Sequence, residues 1–165
     1  MSITSIDKDT ERFTMTITAE YDASQDRVWQ LWGDPRQLER WWGPPTYPAT
    51  VHEHDLRAGG RVVYSMTGPA GDRHAGYWDV LEADAPRRLL VRDGFADETG
   101  AANDQLPTTL MQVDVEEAAS GGVVVTIRSE FPSLEAMEQM IEMGMEEGLR
   151  EAMGQIEAIL AGTPT

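Results

Sequence analysis

The residues best suited to acid–base or metal chemistry in this chain are its three histidines. His52 and His54 are two residues apart, so in a strand they share one face, while His74 belongs to another segment. Such a pair with a third ligand could hold a metal, but no carboxylate pattern completes the site, and we predict no metal. His54 could instead donate a proton inside a cavity, since histidine titrates near neutral pH.

One carboxylate, Glu138, falls within the apolar face of the predicted last helix. A buried carboxylate is costly unless it is paired, so an inward Glu138 would mark a functional site. Its place near the helix start, where the dipole favours an acid, instead favours an exposed side chain. The GxSxG, GxxxxGKS/T and GxGxxG motifs of hydrolases, phosphate-binding loops and dinucleotide-binding folds do not occur. We therefore predict no catalytic residue and no cofactor.

A cluster of aromatic side chains could bind a ligand. Five of them lie within 19 residues: Trp29, Trp32, Trp41, Trp42 and Tyr47. An indole offers apolar area and an N–H that can bond a ligand oxygen at a pocket mouth. Trp32 fits a core position, whereas the adjacent Trp41 and Trp42 are not expected both to face inward. One of these two is expected to line a cavity or its rim.

The last helix is rich in methionine and contains glycine. Five of the nine methionines lie on it: Met137, Met140, Met143, Met145 and Met153. Thioethers adapt to irregular or variable contents, although plain core filling is the alternative. Met140 and Met143 fall off the apolar stripe and indicate either a second contact surface, such as a dimer, or no special role. Gly144 and Gly148, each costing about 1 kcal/mol relative to alanine in a helix, favour a hollow beside it.

The composition narrows the possible partners. The 165 residues contain 13 Lys and Arg against 29 Asp and Glu, a formal net charge of −16 at pH 7. Such a surface repels phosphate backbones and anionic lipids, so we expect neither nucleic-acid binding nor membrane insertion. The absence of cysteine excludes disulfides and thiol nucleophiles, and no apolar run reaches the roughly 20 residues of a membrane span. The N-terminus lacks a signal-peptide pattern, which favours a cytoplasmic location.

Alternation and capping residues predict the elements that must position these groups. The first dozen residues are polar and are expected to be loose. From Phe13 to Ala19, apolar and polar residues alternate with the period of a half-buried strand. Ser24 can cap a first short helix, and Asp34–Pro35 begins a second. Between turn clusters, further strands are predicted near residues 49–55, 61–67, 74–82, 88–95, 107–117 and 123–131.

The chain is predicted to end in one long helix capped by Ser133. Apolar residues recur at helical spacing over this stretch: Leu134, Met137, Ile141, Met145, Leu149, Ile156, Ile159 and Leu160. A helix of that length spans about 40 Å, roughly the diameter of a domain of this size. An antiparallel sheet of about seven strands must therefore cover its apolar stripe. The predicted class is α+β, in the order strand, two short helices, six strands and a long helix.

Three stretches of the sequence resemble a known family. They are RVWQLWGDPRQLERWWGPPTYPATV (27–51), HDLRAGGRVVYSMTGPAGDRHAGYWDVLEADAPRRLLVRDGF (54–95) and GMEEGLREAMGQIEAIL (144–160). They are similar to the activator of Hsp90 ATPase homologue-like group of the START-like, or SRPBCC, superfamily. The resemblance covers about residues 12–161 and implies a helix-grip fold with a cavity between sheet and helix. We therefore expect one START-like domain over residues 1–165, with its ordered core at about 12–161.

The resemblance does not select one activity. Superfamily members carry lipids, hormones or polyketides, some cyclise polyketides, and some regulate a chaperone. We predict non-covalent binding of a small hydrophobic molecule, with a cyclase- or hydratase-like enzyme and a chaperone- or regulator-binding protein as alternatives. A homodimer or a protein partner is compatible with each of these. The residues expected to line the cavity are Trp41, Tyr64, Met66, Trp78, Met111, Met145 and Leu149, together with His54 as a polar candidate.

Overall fold

Most strand and helix boundaries between residues 14 and 134 lie close to those that the alternation and capping signals of the sequence predict. The computed structural model describes residues 3–97, 99, 101–103, 106–119 and 121–162. The strands within these residues are β1 (Ile3–Asp9), β2 (Thr14–Tyr21), β3 (Ala49–His54), β4 (Arg61–Thr67), β5 (Arg73–Asp84), β6 (Arg88–Ala96), β7 (Thr109–Glu117) and β8 (Val123–Glu130). The helices are α1 (Gln25–Gly33), α2 (Pro35–Trp41), α3 (Leu134–Glu142), α4 (Met145–Met153) and α5 (Ile156–Ala161).

All eight described strands form one antiparallel sheet in the order β1-β2-β8-β7-β6-β5-β4-β3. Alternate residues of each strand point to one face, as strand geometry requires. On β8, for example, Val123, Val125 and Ile127 are buried. The predicted α+β helix-grip fold is confirmed.

The short helices begin where their capping residues predict. The Ser24 side chain accepts a hydrogen bond from the Arg27 backbone N–H, and the Asp34 carboxylate accepts one from that of Arg36. The buried face of α1 carries Val28, Leu31 and Trp32, as predicted, and all three are fully buried. The two helices lie between β2 and β3 in the chain.

The expectation that the first dozen residues are loose is wrong. Ile3–Asp9 form β1, which pairs with β2 and brings Ile6 opposite Ile17. Ile3 and Ile6 are three residues apart in the sequence, so the period-2 alternation that predicts a strand is absent. In the structure, a register shift between Ile3 and Ser5 accompanies this spacing. This edge strand raises the number of strands from the expected seven or so to eight.

The predicted long helix is interrupted and consists of α3, α4 and α5. Its start is as expected, since the Ser133 hydroxyl accepts a hydrogen bond from the Ala136 backbone N–H at 3.0 Å. Between α3 and α4, Gly144 has a φ of +94°, a left-handed conformation that ends one helix and precedes the next. Glycine is favoured there because a Cβ atom is strained at positive φ. Gly144 therefore acts as a helix break rather than as a site of close helix packing.

Within the described residues, no helix combines the length and apolarity needed to cross a bilayer.

The surplus of acidic side chains yields a prediction about salt. With a formal net charge of −16, the compact state suffers more self-repulsion than the unfolded chain. The ion pairs on the surface, such as Arg61–Asp79 with both side chains 40% exposed, contribute little against this. Since salt screens charges beyond about 8 Å at 0.15 M, we expect the melting temperature to rise between low salt and about 0.5 M NaCl. A flat or falling profile in a thermal melt would contradict this prediction.

Candidate ligand-binding site

A cavity of about 390 Å³ lies between the sheet and the helices α3 and α4. We call it the hollow. The sheet and the segments leading into it contribute Trp42, Pro44, Tyr47, Tyr64, Met66, His74, Asp93, Phe95, Thr109, Met111 and Ser129. The helical side contributes Met140, Met143, Gly144, Met145, Gly148 and Leu149. Its volume falls within the range of about 300–1,000 Å³ that is typical of small-molecule sites, and its lining is mostly apolar.

The hollow exists because the middle of the C-terminal segment does not pack fully on the sheet. Met137 and Ile156, towards the two ends of the predicted apolar stripe, are almost fully buried. Met145 and Leu149, in its middle, are only half-buried. A Cβ atom added to Gly148 would meet no atom within 4 Å. Gly148 itself lines the hollow, in agreement with the sequence prediction.

Strand alternation places a row of polar groups along the sheet wall. On β6, the inward positions run from the buried Leu89 and Val91 to Asp93, and Thr109 lies opposite Asp93 on β7. Ser129 occupies the corresponding inward position of β8, opposite Met111. Thr109 and Ser129 are both almost fully buried. The inward face of the sheet is therefore apolar at one end and polar at the end that lines the hollow.

Asp93 is the ionisable group that sequence reasoning missed. The Tyr64 hydroxyl donates a hydrogen bond to Asp93 Oδ1 at 3.1 Å. Burial raises the pKa of Asp93 to about 7, and the hydrogen bond from Tyr64 opposes that rise. Among the described residues that line the hollow, none is Lys or Arg. The sequence does indicate an inward position for Asp93, because alternate residues of a strand share a face and Asp93 follows Leu89 and Val91 in that alternation.

Tyr64 stands at the centre of the polar end. Burial raises its pKa well above the ordinary tyrosine value, and the Asp93 carboxylate raises it further. Neither the Trp42 nor the Trp78 indole nitrogen has a hydrogen-bond partner among the described residues. The Trp42 ring meets Trp78 and Tyr64 edge-on, with centroids 4.9 and 5.9 Å apart. The tyrosine hydroxyl therefore serves Asp93 as a donor and keeps its proton at neutral pH.

At the edge of the hollow, Tyr47, Asp72 and His74 form a second polar group. The Tyr47 hydroxyl donates a hydrogen bond to Asp72 at 2.7 Å, and this lowers the pKa of Asp72. His74 Nε2 lies 3.4 Å from the same carboxylate, and its ring packs on Tyr47 with centroids 5.7 Å apart. These contacts hold Tyr47 and His74 at the rim, while Asp72 faces solvent.

The structure brings five of the eight predicted site residues to the hollow: Tyr64, Met66, Met111, Met145 and Leu149. Trp78 lies behind the lining, where it is fully buried against Trp42 and Tyr64. The ring of His54 lies elsewhere, since its Nε2 is 2.9 Å from the Trp32 carbonyl oxygen. Ligand binding by any of these residues stays a prediction.

The expectation that Trp41 and Trp42 do not both face inward is wrong, because both are buried. Trp41 packs on Trp32 of α1 and donates its N–H to the Leu31 carbonyl oxygen at 2.8 Å. Trp42 packs on Trp78 of β5. Two different partners enclose the end of α2, so neighbouring residues on adjacent faces are both covered. Trp42, rather than Trp41, lines the hollow.

The remaining candidates from the sequence lie outside the hollow. His52 Nε2 contacts the Ser65 hydroxyl at 2.7 Å and Arg73 at 3.1 Å. The described part of the chain holds no group of three or more His, Cys, Asp or Glu placed to bind a metal. Glu138 is exposed, in agreement with the solvent-facing interpretation. A second, larger groove between β5, β6 and β7 is open and lined by ion-paired side chains such as Arg88 and Asp114, which suits solvent rather than an apolar ligand.

The antiparallel sheet, the C-terminal helices and the mostly apolar hollow between them define the class of protein as a helix-grip fold. The chain belongs to the family described as Activator of Hsp90 ATPase homolog 1-like protein, whose family model matches residues 22–161. The resemblance seen in the sequence is thereby confirmed.

Solved structures of related proteins agree with this family. The chain is 45% identical to protein Ms6760 from Mycobacterium smegmatis, with 99% of each chain covered and a TM-score of 0.90. It is 49% identical to a protein from Arthrobacter aurescens, covering 97% of this chain and 92% of that one, with a TM-score of 0.92. The AHSA1 protein from Silicibacter pomeroyi is 18% identical with a TM-score of 0.71, covers 90% and 97% of the two chains, and shows the fold alone. Comparison with curated proteins gives no match.

Proposed function

We propose that this protein binds a small hydrophobic molecule non-covalently in the hollow. The observation that carries the proposal is the incomplete packing of α4 on the sheet, where Met145 and Leu149 remain half-buried beside empty space at Gly148. Apolar lining of this extent that stays in contact with water is unfavourable, and a hydrophobic ligand that covers it would be stabilised there. The methionines that line it, Met66, Met111, Met140 and Met145 among them, suit a ligand of irregular shape.

Dye titration of the folded protein tests the proposal. An environment-sensitive hydrophobic dye should bind at one site per chain, and polycyclic aromatic compounds or long-chain amphiphiles should displace it. Native mass spectrometry of the freshly purified protein should show an additional mass from a bound molecule. Dye binding that begins only with partial unfolding would contradict the proposal and favour the chaperone- or regulator-binding alternative.

Met145→Ala separates a pocket residue from a packed one. Truncating a fully packed methionine typically costs about 2–5 kcal/mol of unfolding free energy, because contacts are lost and a void is left. Met145 already borders a void, so we expect clearly less than that range in the ligand-free protein, together with altered dye affinity. Met153→Ala is the matched control, since that methionine is fully buried on the same helix and should cost the full amount. Urea unfolding of both variants measures the difference, and equal losses would place Met145 in a solid core.

The enzyme alternative now depends on Asp93 rather than on His54. A carboxyl group with a pKa of about 7 can take up or release a proton near neutral pH, which is the property of a general acid or base. A cyclase- or hydratase-like activity would change the mass or absorbance of a bound ligand over time, whereas simple binding would not. The homodimer, the protein partner and the cytoplasmic location stay predictions from the sequence.

A further inference from the structure

We propose that the hollow selects hydrophobic amines, with the protonated amino group held against Asp93 and the apolar part against the methionines. This inference rests on the proposed function and names the ligand class of the same site. It starts from Asp93, a carboxylate that lines a mostly apolar cavity and forms no ion pair with the residues that the structure describes.

The charge of Asp93 has no partner within the described residues. The hydrogen bond that it accepts comes from the neutral Tyr64 hydroxyl, through Oδ1. No ion pair joins Asp93 to a described Lys, Arg or His. Asp93 is partly buried. A carboxylate that is partly removed from water without a cation is costly, and a ligand that brings the cation offsets that cost. An anionic ligand would instead add a second negative charge to the same site.

The surroundings of Asp93 also suit a protonated amine. Aromatic side chains contribute to the lining nearby: Trp42 and Tyr64 pack on each other, and Phe95 follows two residues after Asp93 on the same strand face. Aromatic rings attract ammonium groups through their negative faces. The Thr109 hydroxyl lies opposite Asp93 in the sheet and offers an acceptor for a further N–H. An ammonium group has three donors and no acceptor, which matches this set.

The net charge of −16 acts in the same direction at longer range. A strongly acidic protein concentrates cations near its surface and repels anions. This effect also causes unspecific adsorption of cationic amphiphiles, so the test must separate binding in the hollow from binding at the surface. Screening by about 0.3 M NaCl weakens the contribution of exposed surface charges more than that of the partly buried Asp93.

The test compares octylamine, 1-octanol and octanoate as competitors of the hollow-bound dye at pH 8 and about 0.3 M NaCl. The three compounds share the same chain and differ in the charge of the head group. We expect octylamine to bind at least about tenfold more tightly than either of the others, as a cation placed between a carboxylate and aromatic rings should. Asp93→Asn should bring octylamine to the affinity of octanol, while Glu138→Gln, which removes an exposed carboxylate on α3, should change nothing.

The preference should also depend on pH. Asp93 is ionised above about pH 7 and protonated below it, so octylamine should bind about tenfold more weakly at pH 6 than at pH 8. His74, on the rim of the hollow, gains a positive charge on protonation, which also disfavours an amine. The variant His74→Gln removes that contribution, and the pH dependence that remains belongs to Asp93.

Each outcome decides between the two proposals. If octanol or octanoate binds as tightly as octylamine, or if Asp93→Asn leaves the amine preference intact, amine selection is overturned while ligand binding in the hollow stands. If the dye binds the folded protein but octylamine does not displace it, amine selection is overturned while ligand binding in the hollow stands. If the dye does not bind the folded protein at all, both proposals fail. Loss of the amine preference in Asp93→Asn with unchanged octanol affinity supports the inference and shows that the variant is folded.

Discussion

At pH 8, the variant Asp93→Asn is expected to be more stable than the wild-type protein by up to about 4 kcal/mol. An aspartate in an unfolded chain titrates near pH 3.9, whereas the pKa of Asp93 in the folded protein is about 7. The difference of about three pKa units, at about 1.4 kcal/mol each, is the cost of holding Asp93 ionised in the hollow. Asparagine keeps a carbonyl oxygen that can accept the Tyr64 hydrogen bond and carries no charge.

The pH dependence identifies the cause. Between about pH 4 and 7 the folded protein retains a proton on Asp93 that the unfolded chain has released, so the contribution of this group to stability falls as the pH rises through that window. The gain in the asparagine variant should therefore be small near pH 4 and largest above pH 7. Urea unfolding at several pH values measures it. Glu138→Gln, at an exposed position, should show no comparable gain.

A gain that is the same at pH 5 and pH 8 would contradict this explanation, since a neutral packing effect has no pH dependence. Equal stability of the two proteins at pH 8 would show that Asp93 is solvated or paired. Saturating octylamine should reduce the advantage of the variant at pH 8, because a ligand that binds the folded wild-type protein more tightly than the folded variant stabilises the wild-type protein more.

Elements with local signals could be predicted from the sequence almost to their ends. The Ser24, Asp34 and Ser133 caps each accept the backbone N–H that the capping rule requires. Strand β4 occupies Arg61–Thr67, the predicted range. Capping and alternation depend on neighbours within a few residues, so sequence alone determines them. Strand β1 lacks such a signal, because its isoleucines are three residues apart and its partner β2 supplies the order.

The candidate site was predicted only in part because its residues are set by distant contacts. Tyr64 and Met111 could be predicted from strand alternation once a cavity was expected on that face. Trp42 lines the hollow in place of the predicted Trp41. This difference depends on Trp32, which packs on Trp41, and on Trp78, which packs on Trp42. No periodicity in the α2 segment contains that information.

Asp93 is absent from the predicted site residues for a different reason. Alternation from Leu89 and Val91 places its side chain on the inward face of β6, whereas the helical pattern points to Glu138, which is exposed. In this protein, an acidic residue among the inward-facing apolar positions of a strand therefore indicates a carboxylate in the cavity better than an acidic residue on the apolar face of a helix. Its pKa, by contrast, depends on burial and on Tyr64, which is 29 residues away in the chain.

Gly148→Leu is expected to abolish binding in the hollow, lowering dye affinity by at least about tenfold, and to leave the protein folded. A Cβ atom at this position would meet nothing within 4 Å, and Gly148 lies in the lining beside Met145 and Leu149. A leucine side chain therefore enters space that a ligand would use instead of displacing neighbours. Leucine also favours a helix over glycine by up to about 1 kcal/mol, so α4 itself should gain stability.

A graded series separates filling of the hollow from a general effect on the helix. Gly148→Ala gives the gain in helix propensity with little loss of volume, so its stability should rise while dye affinity changes only slightly. Ala158→Leu adds the same leucine at an exposed position of α5, and it should leave binding unchanged. Dye titration and urea unfolding on the three variants provide the readouts.

The combination of outcomes shows where the ligand binds. Stable, folded Gly148→Leu protein that no longer binds dye would place the ligand between α4 and the sheet. If the variant unfolds, α4 packs tightly on the sheet and the void beside Gly148 does not persist in solution. If the variant folds and still binds dye with wild-type affinity, the ligand site lies away from α4, and Met145→Ala should then also leave the dye affinity unchanged.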